Sequence, residues 1–169
     1  MDSVSGSSIW DLLPDNISLP IIRDDRFWEE YLTNAKDMNV HVAILSKHYL
    51  KKILSRSKTI ESRFSKTRRR PYNRVSIGDI ILLKESGGTI QGICLVSNVW
   101  FFELRQKSLS EIKNEYGERL QIDDSSYWER YAHSQYATLI ELKHACKIPA
   151  TKFKKRDQNA WVTFEPLRD

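Results

Sequence analysis

Two cysteines, Cys94 and Cys146, are all that 169 residues contain. That is too few for a disulfide scaffold and points to a reducing, cytoplasmic setting. Apolar runs are short as well, the longest being four residues such as Ile80-Ile81-Leu82-Leu83, whereas a membrane-spanning helix needs about 20. No membrane association is expected. The opening MDSVSGSS has neither the cationic nor the apolar region of a secretory signal. A Walker loop and a G-x-G-x-x-G turn are both missing, which removes the usual nucleotide-hydrolysis and dinucleotide signatures. His144-x-Cys146 is the only close pair of soft ligands, so neither a metal site nor a cofactor is expected. Internal repeats and low-complexity tracts are lacking too.

What the chain does have is charge in one place. The 27 basic and 22 acidic residues sum to +5, a mild excess that by itself supports solubility and little else. Between Ser46 and Arg74, however, eleven basic residues face one acid, Glu61, giving +10 and leaving −5 for the rest. The cations there include Lys47, Lys51, Lys52, Arg56, Lys58, Arg63 and Lys66, then Arg68-Arg69-Arg70 and Arg74 around Pro71. Three adjacent guanidiniums repel one another and grip phosphates bidentately, so anion binding explains Arg68–Arg70 better than solvation does. Concentrated cations also release counterions from a nucleic-acid backbone. Lys152, Lys154, Lys155 and Arg156 form a second, smaller cluster. For the lysines of 47–52, a solvated helix face is an equally good reading.

Residues 1–23 read as an N-terminal tail or strap, with Ile9-Trp10, Leu12-Leu13 and Leu19 to Ile22 able to dock on a body formed by 24–169. Asp24 or Asp25 caps a helix that carries Phe27, Trp28, Tyr31 and Leu32 on one face. A strand is predicted over 41–45, then a helix capped by Ser46 with Tyr49, Leu50, Ile53 and Leu54 inward. Thr59 to Phe64 alternates as a strand, and the basic loop follows to Arg74. Strands are predicted at 80–83, at 89–102 with a bend near Ser97-Asn98, at 136–142 and at 161–164, with a Glu85-Ser86-Gly87-Gly88 hairpin between the first two. Ser108-x-x-Glu111 and Ser126-x-x-Glu129 have capping-box spacing and open two further helices. Five or six short strands with helices between them define an α+β fold on a small curved sheet or barrel.

On residues 53–63, ILSRSKTIESR, the sequence resembles the signature of ASCH domains, G-x-K-x-x-E-x-R, where a helix ends and a strand begins. Val75 to Leu82 is similar to the family's v-G-D-x-i-x-l turn and strand. Gly92 to Val96, followed by Phe101-Phe102-Glu103, resembles its third block. The likeness covers about residues 41–142. Arg56 departs from it, standing where the family has a glycine suited to a positive-φ helix cap. The resemblance implies a small PUA-like mixed β-barrel of five or six strands with flanking helices. It also implies a cleft that engages RNA or modified nucleosides.

Glu61 and Arg63 lie two apart on a strand and so share a face, with Lys58 at the helix-to-strand junction. Two readings compete for this trio. In one, Lys58 and Arg63 hold a phosphate while Glu61 orients them or accepts from a base. In the other, Glu61 and Arg63 are a structural ion pair on the barrel wall. The family blocks favour the first. Bases stack on aromatic rings, which makes Tyr72, amid the arginines, a candidate platform. Trp100, Tyr127, Trp128, Tyr131 and Trp161 are weaker ones, with Trp128 and Tyr131 better read as core. The expected function is nucleic-acid binding, RNA in preference to DNA, through Lys58, Glu61, Arg63, Arg68, Arg69, Arg70, Tyr72 and Arg74. The alternatives are a hydrolase acting on RNA or on an acylated cytidine, with Lys58 and Glu61 as its catalytic groups, and a protein-interaction module. The family's amidohydrolase branch has Thr three residues after the motif lysine. Here Glu61 stands there, so that mechanism does not carry over, and a carboxylate beside Lys58 favours its charged form.

Overall fold

The computed structural model describes residues 25–154 and 157–165. The strap expected over 1–23 and the cations Lys155 and Arg156 lie outside the described residues. The elements run α1 (Arg26–Asn34), β1 (Val40–Leu45), α2 (Lys47–Leu54), β2 (Ile60–Ser65), β3 (Ile80–Glu85), β4 (Ile90–Glu103), α3 (Leu109–Leu120), α4 (Tyr127–Arg130), β5 (Tyr136–Thr151) and β6 (Trp161–Phe164). The strands make one six-stranded mixed sheet in the order β2-β5-β4-β3-β1-β6. The β1–β3 pair is parallel and the other neighbours are antiparallel. Architecture and strand number therefore match the small, curved α+β sheet read from the sequence.

Local chemistry explains most of the boundaries. Asp25 Oδ1 accepts from the backbone N–H of Phe27 at 3.0 Å and of Trp28 at 3.3 Å, satisfying two donors that α1 leaves open. Ser46 caps α2 through Tyr49 N–H. Ser108 and Glu111 complete a reciprocal capping box on α3. Ser126 does not repeat it: its backbone is already helical, it makes no cap bond, and its hydroxyl turns back to Asp124 at 2.7 Å. The helix that follows it is accordingly one turn, Tyr127–Arg130.

Two of the central strands are buried on both faces, which is why they read as continuous apolar runs and not as alternation. Val40, Val42, Ile80 and Leu82 face α1 with Trp28 and Leu32. Ala43, Leu45, Ile81 and Leu83 face the barrel interior with Cys94, Ile140 and Trp161. A third cluster joins α3 to the outer side of β2 and β5 through Ile60, Ile112, Leu120 and Leu139. Gly92 sits where α2 presses on the sheet: a Cβ there would lie 2.6 Å from Leu54 Cδ2 and 3.3 Å from the Cys146 carbonyl.

β4 breaks register between Val96 and Asn98, at the predicted bend. β5 is longer than 136–142, because its second half continues along β4 to the pair Ile90–Thr151. β2 pairs only with Tyr136–Glu141. The far stretch of β5 thus keeps one edge outside the β2 ladder, and an edge tolerates Pro149 inside a strand.

Candidate nucleic-acid interface

The helix-to-strand junction sets the first part of the site. After α2 the chain turns through Arg56 at φ +64°, the left-handed backbone that a glycine would adopt without strain. Arg56 keeps that turn and docks its guanidinium on the Ala145 carbonyl, Nε at 3.3 Å and Nη2 at 3.2 Å. The departure from the family glycine thus changes the side chain and leaves the backbone path alone.

Lys58, Glu61 and Arg63 converge, as strand spacing predicts. Glu61 Oε1 lies 3.0 Å from Arg63 Nε and Glu61 Oε2 lies 3.6 Å from Lys58 Nζ. The contact to Arg63 is out of line for a hydrogen bond, so the pair is held by charge rather than direction. The trio is largely enclosed, with Lys58 at 3 % and Glu61 at 7 % exposure. Lys58 Nζ donates to the Leu120 carbonyl at 2.6 Å, which ties β2 to the end of α3. Burial pulls the Lys58 amine below the usual lysine range, and the Glu61 carboxylate partly restores it. Arg63 donates to the carbonyls of Ile44 at 2.9 Å and Ala160 at 3.2 Å. Those carbonyls belong to β1 and to the residue before β6, at the opposite end of the strand order from β2. Arg63 therefore bridges the two ends of the curved sheet, with its guanidinium 5.4 Å from the Trp161 ring centre.

The polar network continues inward through Trp161, a weaker stacking candidate in the sequence, and through His41 and Asp79, for which the sequence suggested no role. Trp161 Nε1 donates to His41 Nδ1 at 3.2 Å, and His41 Nε2 meets Asp79 Oδ2 at 2.8 Å. An indole N–H only donates, so Nδ1 is an acceptor and the ring hydrogen sits on Nε2, directed at Asp79. Asp79 also accepts from the N–H groups of Ser76 and Asn39. Nothing in the sequence joins His41 to Trp161, because 120 residues separate them and only the β1–β6 pairing brings them together.

The basic loop behaves differently. Pro71 and Tyr72 turn inward, and Tyr72 packs 5.5 Å from Phe101 and 5.0 Å from Tyr136 between ring centres. At 9 % exposure Tyr72 anchors the loop from beneath and presents no free ring face for a base. Above it Lys66, Arg68, Arg69, Arg70 and Arg74 are all exposed. Arg68 pairs with Glu103 at 3.0 Å and lies 5.4 Å from the Tyr136 ring centre. Arg69 reaches Asn159 Oδ1 at 3.4 Å. Among the described residues neither Arg70 nor Arg74 has a side-chain partner. Glu103 also pairs with Arg105 at 2.8 Å, which adds a cation from the turn after β4 that no sequence signal connects to this loop. Trp128 belongs to the α3-side apolar cluster, as its helical spacing suggests. Among the described residues no cluster of His, Cys, Asp and Glu fits a metal ion, and no helix is long and apolar enough to cross a membrane.

The six strands form a curved, open mixed sheet, a half-barrel whose end strands β2 and β6 share no ladder and are bridged by the Arg63 side chain. Compared with solved structures, it is similar to the ASCH protein of Zymomonas mobilis, with a TM-score of 0.53 at 18% identity over 66% of this chain and 72% of that one. A serine-to-alanine variant of that protein matches at TM-score 0.60 and 17% identity, over 78% of this chain and 90% of that one. The chain thus has an ASCH-type fold. No family model and no curated protein sequence matches it.

Proposed function

We propose that the protein binds single-stranded nucleic acid, RNA in preference to DNA, with the arginine loop on the phosphate backbone. One observation supports this above the others: Arg68, Arg69, Arg70 and Arg74 stand exposed on a loop whose underside is pinned by buried Pro71 and Tyr72. A pinned loop loses less conformational freedom when a strand is bound. In this reading Lys58, Glu61 and Arg63 serve the interface by holding the β2 wall beside the loop. Arg63, with its side chain 18% exposed, is the member nearest to direct contact. The preference for RNA rests on the ASCH resemblance and the ASCH-type fold.

Fluorescence anisotropy of single-stranded RNA, single-stranded DNA and duplex DNA across salt tests it. Affinity should fall with salt. Charge reversal at Arg68, Arg69 and Arg70 together should flatten the salt slope by roughly 2, the share of three phosphates on a single strand. Unchanged affinity in that variant would overturn the backbone grip.

Lys58 favours a second reading, hydrolysis of RNA or of an acylated nucleoside. Burial lowers the pKa of the Lys58 amine, which suits general-base work, and the Glu61 carboxylate opposes that shift. Incubation with RNA and with N4-acylcytidine, comparing the wild type with Lys58→Met, decides it. Turnover lost in the variant while its thermal melt stays cooperative would establish the enzyme.

A further inference from the structure

A second basic surface, away from the trio, surrounds the β3–β4 hairpin. There a cavity of about 520 Å³ opens to solvent, lined by Lys84, Lys152, Lys154, Phe153, Asp157 and Gln158. Gly87 and Gly88 of the hairpin turn line it as well. Gly87 has φ +71°, and a Cβ added to it would meet nothing within 4 Å, so the turn exposes bare backbone that side chains would otherwise cover. Two exposed lysines, Lys152 and Lys154, line the cavity with one carboxylate, Asp157. Lys84 is 6% exposed and donates to the Glu85 carbonyl at 3.1 Å. Both Asp157 oxygens already accept from Asn159, from its N–H at 2.9 Å and its side-chain amide at 3.0 Å. Each still has a lone pair for a ligand donor. Phe153 is half-buried, edge-on to Phe164 at 6.1 Å.

We propose that this cavity is a nucleotide subsite: Lys152 and Lys154 take a phosphate, Phe153 meets the base, and Asp157 or Gln158 pairs with a base or ribose donor. The combination decides the ligand class. Lysines alone suit any anion, but a ring and a hydrogen-bonding edge in a volume far larger than a phosphate suit a base joined to one. The subsite also has a physical link to the arginine loop. Asp157 and Gln158 line the cavity, Asn159 accepts from Arg69, and Ala160 accepts from Arg63. Residues 157–160 thus run from one basic surface to the other, a path along which one strand can contact both. The proposal rests on the nucleic-acid reading for that path, and on the cavity alone for nucleotide binding.

Calorimetric titration with adenosine and uridine 5′-monophosphates, inorganic phosphate and a single-stranded oligoribonucleotide tests it. The double variant Lys152→Glu with Lys154→Glu, both at exposed positions, should weaken mononucleotide binding roughly tenfold or more. Charge reversal at Arg68, Arg69 and Arg70 should leave it within about twofold. Both variants should weaken the oligonucleotide. Phe153→Leu keeps the apolar packing and should weaken the mononucleotides several-fold without changing phosphate binding. Mononucleotide affinity equal in the wild type and the lysine double variant would overturn the subsite. So would phosphate binding as tight as the nucleotides. An oligonucleotide sensitive to the arginines and indifferent to Lys152 and Lys154 would overturn the subsite and leave the backbone grip standing. Lysine-dependent mononucleotide binding with no oligonucleotide binding would do the reverse.

Discussion

Lys58, Glu61 and Arg63 on one side, and Arg68 to Arg74 on the other, come from a single stretch of 17 residues with one charge character, yet the fold puts them to opposite uses. The first group is enclosed and spends its donors on protein acceptors: the Leu120, Ile44 and Ala160 carbonyls and the Glu61 carboxylate. The second stands in solvent, with Arg70 and Arg74 unpartnered among the described residues. What separates them is the end of β2 at Ser65. Up to that point alternate side chains point into the barrel, where a cation without a partner is costly. Beyond it the chain leaves the sheet, and up to Arg74 only Pro71 and Tyr72 are buried again. Charge density along a sequence is therefore a poor guide to charge available for a ligand.

The largest expected effect falls on the enclosed group. Glu61→Ala leaves the buried Lys58 and the part-buried Arg63 without their anion and should destabilise the protein by about 3–5 kcal/mol in chemical denaturation. A loss below about 1 kcal/mol would mean that the trio is solvated and open, which would erase the contrast. Arg63→Lys should cost less, about 1–3 kcal/mol, because lysine keeps the charge but cannot fork to two carbonyls while lying over Trp161. On the exposed side the triple arginine reversal should move the melting midpoint very little, since each surface change lies within about 0.5 kcal/mol. Its effect belongs to RNA affinity instead. If that variant unfolds, the loop is structural after all.

A pH experiment sharpens the same contrast at smaller amplitude. The Lys58 amine titrates below its usual 10.5 in the folded protein, so between that lowered value and 10.5 the unfolded chain binds more protons than the native one. Stability then rises with pH across this window. Wild type minus Lys58→Met should show that rise, and the subtraction removes the contribution of the tyrosines that titrate nearby. Weakest of all is the clip from α2 to the α3–α4 turn. Lys52 and His48 hydrogen bonds hold the exposed Asp123 down to about 2. Its contribution is present at neutral pH and is lost as pH falls from 3.8 through about 2, and Asp123→Asn should lose that part of the acid dependence.

Much of the fold was legible because it rests on local signals. Asp25, Ser46 and Ser108 cap the three longer helices as their spacing predicts, and the Ile80–Leu83 run, the hairpin and the Ser97-Asn98 bend all fall where patterning puts them. Ser126 misleads for a reason that can be stated. A capping box requires an extended N-cap backbone, and Asp124 draws Ser126 into a helical turn instead. The second half of β5 escapes a sequence reading because its register comes from β4, which the periodicity of 143–151 does not encode.

For the candidate site, the sequence by itself determined the charge, the order of the family blocks and the convergence of Glu61 with Arg63, since these depend on residue type and on the two-residue period of a strand. Only the tertiary structure decided which cations are enclosed and which stand in solvent. It buried Lys58 beneath the end of α3, sent Arg63 across to β1 and β6, turned Tyr72 from a presented ring into an anchor, and brought Lys84 to Lys152, Lys154 and Phe153 around one cavity. Each of these depends on contacts between residues far apart in the chain, and a one-dimensional pattern carries no information about which distant carbonyl will meet a guanidinium.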